Sequence, residues 1–272
     1  MDRKLQENPL ADIRYGTEFV SLTHDADGIM IDVETANGPD KIYGQYLIAA
    51  DGGNSAIREH LGLAFEGSTY PEKTVLVTTP FPFHEHIDGL SSVSYCWEEN
   101  GNFSLLQLPN QWRASLYFPE NMSSDAALAG EHIQKQLHDI CPIDGLFEIY
   151  DKRVYRVHQR IVSRYDYGRI ALAGDAAHIN SPSGGMGMNG GLHDAHNLTE
   201  KLNKIWRSKD HKSCLDLLAL YSRQRRPIAE QQIIKQADEN RKRMTEKNHN
   251  KRQKSLDELR EISNDTTRCK AF

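Results

Sequence analysis

Apolar and polar residues alternate in the first part of the chain, a pattern typical of β-strands with one buried face. Residues 15–23 and 29–35 alternate in this way, and the turn sequence Asp25-Ala26-Asp27-Gly28 separates them. A further turn leads to residues 41–43, so the pattern predicts a small antiparallel ribbon. The run at 46–50 is apolar without alternation, which predicts a strand buried on both faces, as in a parallel sheet.

A short helix is predicted after this run, because Asn54 or Ser55 can cap its start and Gly62 can follow its end. The chain then becomes rich in prolines and in β-branched and aromatic residues, which predicts an antiparallel sheet. The predicted strands of that sheet are residues 74–79, 91–97, 103–108, 112–118 and 146–157. Apolar residues close to helical spacing predict one helix between them, at 125–140.

The last part of the chain returns to the first pattern. Residues 170–173 form another short apolar run, which ends in Gly174-Asp175 and is followed by a glycine-rich loop. A helix is predicted to open near Asn189, and Pro227 is predicted to begin a new helix. The composition stays helical to about residue 261.

The chain has 272 residues, which is long enough for one or two domains. The patterns predict an α/β domain in two parts, a β-rich insert between them and a basic helical tail. The predicted bounds are 1–70 and 161–235 for the α/β domain, 71–160 for the insert and 236–272 for the tail.

The apolar runs are too short for a membrane span, and the cysteines are too far apart for the disulfide framework of a small secreted protein. The longest apolar run is about five residues, and the polar N-terminus has no apolar leader segment. The four cysteines are far apart, which fits neither a disulfide framework nor a zinc site. We therefore expect a cytoplasmic protein without an integral membrane segment.

Charge is distributed unevenly along the chain. Residues 1–200 contain 14 Lys and Arg against 28 Asp and Glu, whereas residues 201–272 contain 19 against 10. A basic stretch can bind nucleic acid or an acidic membrane surface. The simpler interpretation, which we prefer, is a solvated helical face that docks on the acidic body, with no nucleic acid as partner.

Gly174-Asp175 stands where open α/β sheets bind ligands, at the carboxyl end of a strand. The carboxylate of Asp175 can accept a hydrogen bond from a sugar or ribityl hydroxyl. Gly184, Gly185 and Gly187 let the backbone lie against a planar ligand, and the N-terminus of the next helix favours negative charge. These residue types predict a site for a planar, partly anionic ring.

A longer set of residues around this loop forms a recognisable motif. Its members are Gly174-Asp175-Ala176-Ala177-His178, Ser181-Pro182, Gly184-Gly185, Gly187-Met188-Asn189, Asp194-Ala195 and Asn197-Leu198. The set resembles the second flavin-binding motif of the FAD-dependent aromatic hydroxylases, the p-hydroxybenzoate hydroxylase and phenol hydroxylase group. The resemblance implies that Asp175 holds the ribityl chain of FAD and that Gly174 is a cofactor-binding residue. It also implies that the Gly187-Met188-Asn189 backbone faces the flavin pyrimidine edge and that Pro182 and Gly185 line the flavin face.

The earlier stretch Asp51-Gly52-Gly53-Asn54-Ser55-Ala56-Ile57-Arg58 resembles the Asp-Gly-x-x-Ser-x-x-Arg motif of the same family. That motif is linked there to the binding of FAD and NAD(P)H. The resemblance therefore adds Asp51, Gly52 and Arg58 to the expected cofactor-binding residues.

The resemblance implies a fold and a reaction. The fold would be a doubly wound, glutathione-reductase-like FAD/NAD(P)-binding α/β domain with an inserted antiparallel substrate sheet. The reaction would be an FAD- and NAD(P)H-dependent monooxygenation, in which a flavin C4a-hydroperoxide made from O₂ hydroxylates an aromatic, phenol-like molecule. A homodimer is compatible with this assignment.

One departure from the family leaves an alternative open. The family begins with a strand, a G-x-G-x-x-G turn and a helix, and this sequence lacks them. We therefore expect an FAD domain that is incomplete at its N-terminus, as in a fragment. The alternative is a truncated, non-catalytic relative that does not retain FAD and acts, if at all, as a binding module.

Other side chains in and near these motifs have weaker assignments. The aromatic residues of the insert are candidates for the opposite wall of a substrate cavity, although a core position is the better expectation for each: Tyr95, Trp97, Phe103, Trp112 and Tyr117. His193 and His196 have a spacing compatible with metal binding, but no third ligand has suitable spacing, so no metal is expected. His178 fits packing as well as catalysis, and a structural role is the better expectation for Arg225 and Arg226.

Overall fold

The computed structural model describes residues 2–97, 102–118, 121–182, 185–208 and 211–271, and in these ranges the chain forms twelve strands and ten α-helices. The strands are β1 (Thr17–His24), β2 (Ile29–Thr35), β3 (Gly38–Gly44), β4 (Leu47–Ala49), β5 (Phe65–Thr79), β6 (Val93–Trp97), β7 (Asn102–Leu108), β8 (Gln111–Phe118), β9 (Asp151–Val162), β10 (Asp166–Tyr167), β11 (Ile170–Leu172) and β12 (His178–Ile179). The helices are α1 (Asp2–Gln6), α2 (Ala56–His60), α3 (Phe83–His86), α4 (Ser124–Ala127), α5 (Gly130–Ile140), α6 (Met186–Arg207), α7 (His211–Ile228), α8 (Lys235–Thr245), α9 (His249–Asn264) and α10 (Thr266–Ala271).

The chain divides into two compact units, each made of three segments. The first unit comprises Met1–Glu66, Arg160–Ile179 and Gly187–Ile233. The second comprises Gly67–Gln159, Asn180–Met186 and Ile234–Phe272.

The first unit contains the predicted antiparallel ribbon, in the strand order β1-β2-β3. Strand β2 occupies the predicted range, and the buried side chains of Leu22, Ile29 and Val33 form the inner face of the ribbon. Strand β1 begins two residues later than predicted, at Thr17, where its pairing with Thr35 starts. Strand β1 also ends one residue later than predicted, and β3 extends beyond the predicted 41–43 at both ends, so alternation predicted the three strands but not all their boundaries.

A second sheet of this unit has the order β10-β11-β4. Strands β11 and β4 are parallel, with Ile170 opposite Leu47 and Leu172 opposite Ala49, so the parallel sheet predicted from the run at 46–50 is confirmed. All three residues of β11 are buried, whereas only Ala49 of β4 is. The expectation that β4 is buried on both faces therefore holds for one residue of the three.

Helices α6 and α7 complete the first unit and contribute Leu198, Ile205 and Leu218 to its buried side chains. The Tyr221 hydroxyl of α7 donates to the Leu172 carbonyl over 2.8 Å, which anchors the helix to β11. The prediction that Pro227 begins a helix is wrong. Pro227 lies in the last turn of α7, and the chain continues as a π-helical segment, Ala229–Ile234. A proline has no N–H to donate and crowds the carbonyl four residues earlier, so a wider turn accommodates it.

The second unit is built on an antiparallel sheet that runs β9-β5-β8-β7-β6. Alternate residues of β8 are buried, and that face packs against Ile133 and Leu137 of α5. The helix predicted at 125–140 is two helices, α4 and α5, because the backbone of Ala129 leaves the helical region. The strand predicted at 146–157 begins later, as β9, and runs to Val162.

Helix α8, in the basic C-terminal stretch, packs on this sheet. Its Ala237 and Met244 are buried. The Tyr70 hydroxyl of β5 donates to Asp238 over 3.0 Å, and the Arg241 guanidinium lies 3.9 Å from the centre of the Tyr70 ring. The start of the predicted tail therefore docks on the sheet of its own chain. Among the described helices, none combines the length and the hydropathy that a membrane span requires.

Candidate functional site

The two predicted motif loops lie side by side in the first unit. Asp51-Gly52 follows β4, and Gly174-Asp175 follows β11. Because these strands are parallel and in register, their carboxyl ends meet at one edge of the sheet. The Ala173 N–H donates to the Ala49 carbonyl over 3.0 Å, which holds the start of both loops together.

The Asp51 loop is ordered by its own side chains. The Asp51 carboxylate accepts hydrogen bonds from the Ser55 hydroxyl (2.6 Å) and the Ile57 N–H (3.2 Å). Ser55 is the N-cap of α2, since its Oγ accepts the Arg58 N–H. Gly62 follows the helix with φ +63°, the left-handed conformation predicted for it.

Arg58 connects the two loops through hydrogen bonds to a carbonyl of each. Its guanidinium donates to the Gly53 carbonyl of the first loop (2.7 Å) and to the Ala176 carbonyl of the second (3.1 Å). The guanidinium carbon lies 3.8 Å from the centre of the Phe65 ring, and only 4% of the residue is exposed. Burial lowers the pKa of Arg58 from its ordinary value. The geometry makes Arg58 a brace between the loops, and its partner Ala176 lies 118 residues away in sequence.

The second loop is a single 3₁₀ turn, Gly174–Ala176, closed by the Ala177 N–H donating to the Gly174 carbonyl over 2.8 Å. Gly174 has φ +59°, which a residue with a side chain adopts only with strain. Asp175 is exposed, so its carboxylate is presented to solvent, whereas Ala176 and Ala177 are buried. The turn thus offers one acceptor side chain on a fixed backbone.

Helix α6 packs directly against this turn. A Cβ on Gly191 would lie 3.3 Å from the Cα of Gly174, so backbone meets backbone at this point. The predicted residues Gly187, Met188 and Asn189 lie in the first turn of α6, which begins at Met186 and not near Asn189. The N–H groups of a first helical turn point out of the helix and favour negative charge.

Pro182 and Gly185 fall in the segment Asn180–Met186, which belongs to the second unit. The Gly185 N–H donates to the Pro182 carbonyl over 3.0 Å, and Gly185 has φ +66°. Gly184 lies outside the described residues. The two predicted flavin-face residues therefore form one tight turn.

A buried carboxylate that the sequence analysis did not assign connects these elements. Asp194 of α6 accepts hydrogen bonds from His178 Nε2 (2.8 Å), Arg225 Nε (2.7 Å) and the Gly174 N–H (3.2 Å). Burial alone would raise the pKa of Asp194, but the bonds from His178 and Arg225 outweigh burial and hold that pKa below its usual value. The sequence signal that could have assigned Asp194 was its position in the flavin motif, one helical turn after Gly190.

The sheet of the second unit divides the candidate cavity aromatics between its two faces. Phe103 and Trp112 are buried on the face that packs against α5 and are core residues. Strand register puts Tyr95 and Trp97 on the other face of the sheet. Tyr117, which pairs with Thr74, lies on that other face as well, because the residues on either side of it in β8 are buried on the α5 face. Tyr95 is 46% exposed, whereas Trp97 and Tyr117 are half-buried.

Within the described ranges, no three His, Cys, Asp or Glu side chains are gathered as a metal ion would require. The chemistry of the loops suits an organic cofactor better. Gly52 has φ +84° and a Cβ there would meet open space, so the backbone of the Asp51 loop can approach a ligand closely. Together with the exposed carboxylate of Asp175 and the first turn of α6, these groups fit a ligand with hydroxyl and anionic parts.

Comparisons with known proteins agree with this chemistry. A family model described as FAD binding domain matches residues 1–236. A flavin-dependent monooxygenase of Mycobacteroides abscessus is 33% identical over 229 residues, 80% of this chain and 46% of that protein. The para-nitrophenol 4-monooxygenase of Pseudomonas sp. strain WBC-3 is 28% identical over 221 residues, 78% of this chain and 53% of that protein.

Solved structures show the same architecture. The crystal structure of p-nitrophenol 4-monooxygenase PnpA from Pseudomonas putida DLL-E4 matches with a TM-score of 0.86 and 25% identity, over 96% of this chain and 66% of that one. The chain spans about half the length of the curated relatives it matches.

Proposed function

The chain belongs to the family of FAD binding domains, and on that premise we propose that it is the FAD- and substrate-binding part of a flavin-dependent monooxygenase that hydroxylates a phenol-like aromatic molecule. The observation that carries the proposal is the pairing of the two motif loops at the carboxyl ends of β4 and β11, braced by Arg58. Such an edge of a parallel sheet is the ligand-binding edge of open α/β folds.

The residues that would hold FAD are those of the two loops and the start of α6. Asp175 would accept a hydrogen bond from a ribityl hydroxyl, and the N–H groups at Gly187, Met188 and Asn189 would stabilise negative charge on the flavin. Asp51 and Gly52 would line the cofactor, and Arg58 would act on it through the loops that it joins.

When bound, FAD would supply the redox chemistry, by which the aromatic ring, O₂, NAD(P)H and a proton would give the hydroxylated ring, NAD(P)⁺ and water. The chain would supply placement, fixed dipoles and exclusion of water. Of the insert aromatics, Tyr95, Trp97 and Tyr117 are the ones that we propose face the substrate. The names of two relatives, para-nitrophenol 4-monooxygenase and 3-(3-hydroxy-phenyl)propionate/3-hydroxycinnamic acid hydroxylase, support a phenolic substrate class.

The first test is the visible absorbance of the purified chain, recorded with and without added FAD and after desalting. The proposal predicts a bound-flavin spectrum that survives desalting, and NAD(P)H oxidation that increases on addition of a phenol such as p-nitrophenol. The control is the same chain unfolded in urea, which should pass through desalting without flavin. A folded chain that never retains FAD would contradict the proposal and favour the non-catalytic alternative.

A further inference from the structure

We propose that Asp194 is a positioning residue for the FAD site: together with His178 and Arg225 it holds the Gly174–Asp175 turn in its binding conformation before the cofactor arrives. The inference rests on the proposed function, since the shape of this turn matters to catalysis only if the turn holds FAD. It goes beyond that proposal because it assigns a role to a carboxylate that would touch neither flavin nor substrate.

Three elements of the first unit converge on this one side chain. Oδ2 of Asp194 accepts the backbone N–H of Gly174 (3.2 Å) and Nε2 of His178 in β12 (2.8 Å). Oδ1 accepts Nε of Arg225 in α7 (2.7 Å). The bond to Gly174 is the decisive one, because it ties the carboxylate to the backbone that carries Asp175.

Glycines in α6 make this reach possible. The helix backbone at Gly191 lies against Gly174, with no room for a methyl group without displacement of one backbone. A Cβ on Gly190 would lie 2.7 Å from Cδ1 of Ile233 and 3.2 Å from Cε1 of His178. The side chain of Asp194, one helical turn later, therefore stands close enough to bond the Gly174 amide.

Burial makes the arrangement rigid. Asp194 and His178 are essentially inaccessible to solvent, and the Arg225 side chain is 11% exposed. A carboxylate in such surroundings requires a cation and hydrogen bonds on both oxygens, and the three partners supply them. The ring of Tyr165 stacks on His178 at 5.8 Å with 9° between the planes, which fixes the orientation of the imidazole.

The alternative is that the network only stabilises the first unit, and Asp166 provides a matched control for that role. Asp166 is also a buried carboxylate of this unit and is also paired with an arginine, Arg164. It lies in β10, and its partner is two residues away in sequence. Asp166→Asn should therefore lower stability without changing the Gly174 turn.

The experiment compares full-length wild type, Asp194→Asn and Asp166→Asn, each first shown to be folded by far-UV circular dichroism. The FAD dissociation constant is measured by quenching of flavin fluorescence, and the visible spectrum of the bound flavin is recorded. We expect about a tenfold weaker affinity and an altered spectrum for Asp194→Asn, as one lost hydrogen bond to a charged group predicts. Asp166→Asn should stay within about twofold of wild type, because the hydrogen-bond partner of Asp166 is Arg164 and not the Gly174 turn.

A second pair of variants separates hydrogen bonding from packing at position 178. His178→Gln keeps a side-chain N–H for Asp194 and should retain FAD affinity, whereas His178→Leu keeps volume without a donor and should weaken binding. Equal affinities in Asp194→Asn and Asp166→Asn, or in the two His178 variants, would overturn the inference.

Hydrogen exchange of the Gly174 amide, measured by NMR in the cofactor-free chain, distinguishes failure of this inference from failure of the proposed function. If wild type binds no FAD, the proposed function fails, but faster exchange of this amide in Asp194→Asn than in Asp166→Asn would still support the preformed turn. Exchange that is the same in both variants would refute it.

Discussion

Replacing Arg58 with methionine should destabilise the first unit, because this side chain is the brace between the two motif loops. Methionine keeps much of the side-chain volume but leaves the carbonyls of Gly53 and Ala176 without their donor. The cation above the Phe65 ring is lost as well. Arg58→Lys keeps the charge but replaces a planar fork with a single ammonium group that can reach one carbonyl well.

The magnitude follows from these contacts. Each hydrogen bond from a charged donor contributes about 1.5–3 kcal/mol, and the cation over the ring contributes about 0.5–2 kcal/mol. Removing the guanidinium also removes its desolvation cost, so the net loss for Arg58→Met is about 2–4 kcal/mol. Arg58→Lys should lose roughly half as much, since one of two hydrogen bonds remains.

The assay is urea unfolding followed by far-UV circular dichroism, with free energies from linear extrapolation. The control is Arg14→Met in the same unit, where an exposed arginine pairs with Asp12 and no change is expected. A free energy of unfolding for Arg58→Met within about 0.5 kcal/mol of wild type would refute the brace, as that range is typical of surface substitutions. A lysine variant less stable than the methionine variant would also contradict the reasoning.

Three further predictions concern the cofactor loop, the core and acid stability. Asp175→Ala should weaken FAD binding by about 1–3 kcal/mol, the cost of one lost hydrogen bond; an unchanged dissociation constant would remove Asp175 from the site. Leu137→Ala should lower the free energy of unfolding by about 2–5 kcal/mol, because Leu137 is fully buried between α5 and the sheet, whereas Leu146→Ala, at a side chain 78% exposed, should leave urea midpoints unchanged. The pKa of Asp194 is lowered in the folded chain, so its contribution to stability is complete above the unfolded value of about 3.9 and is lost as pH falls through the lower folded value. Thermal melts between about pH 7 and 3 should therefore show a shallower acid limb in Asp194→Asn, and identical limbs would contradict this assignment.

The local elements of this protein could be predicted from the sequence because their causes are local. Alternation over seven residues predicted β2 at its observed bounds, and a serine with a glycine seven residues later predicted the start and end of α2. The two apolar runs predicted the strands β4 and β11 and a parallel sheet, but that these two strands pair, and so bring both loops to one edge, was shown only by the structure. Sequence reasoning missed the break at Ala129 and wrongly began a helix at Pro227, where the chain stays helical and continues as a π-helical segment.

The connections across the site were decided by the tertiary structure. Sequence reasoning assigned Arg58 to the cofactor, and the structure places its guanidinium on two carbonyls from segments far apart in the chain. It gave no role to Asp194, whose three partners come from a turn, a strand and another helix. Side-chain periodicity and capping act over a few residues, so the sequence by itself determined the elements and the loops at their ends. Which buried donor meets which acceptor depends on the neighbours that each element acquires when the chain packs, and only the tertiary structure decided that.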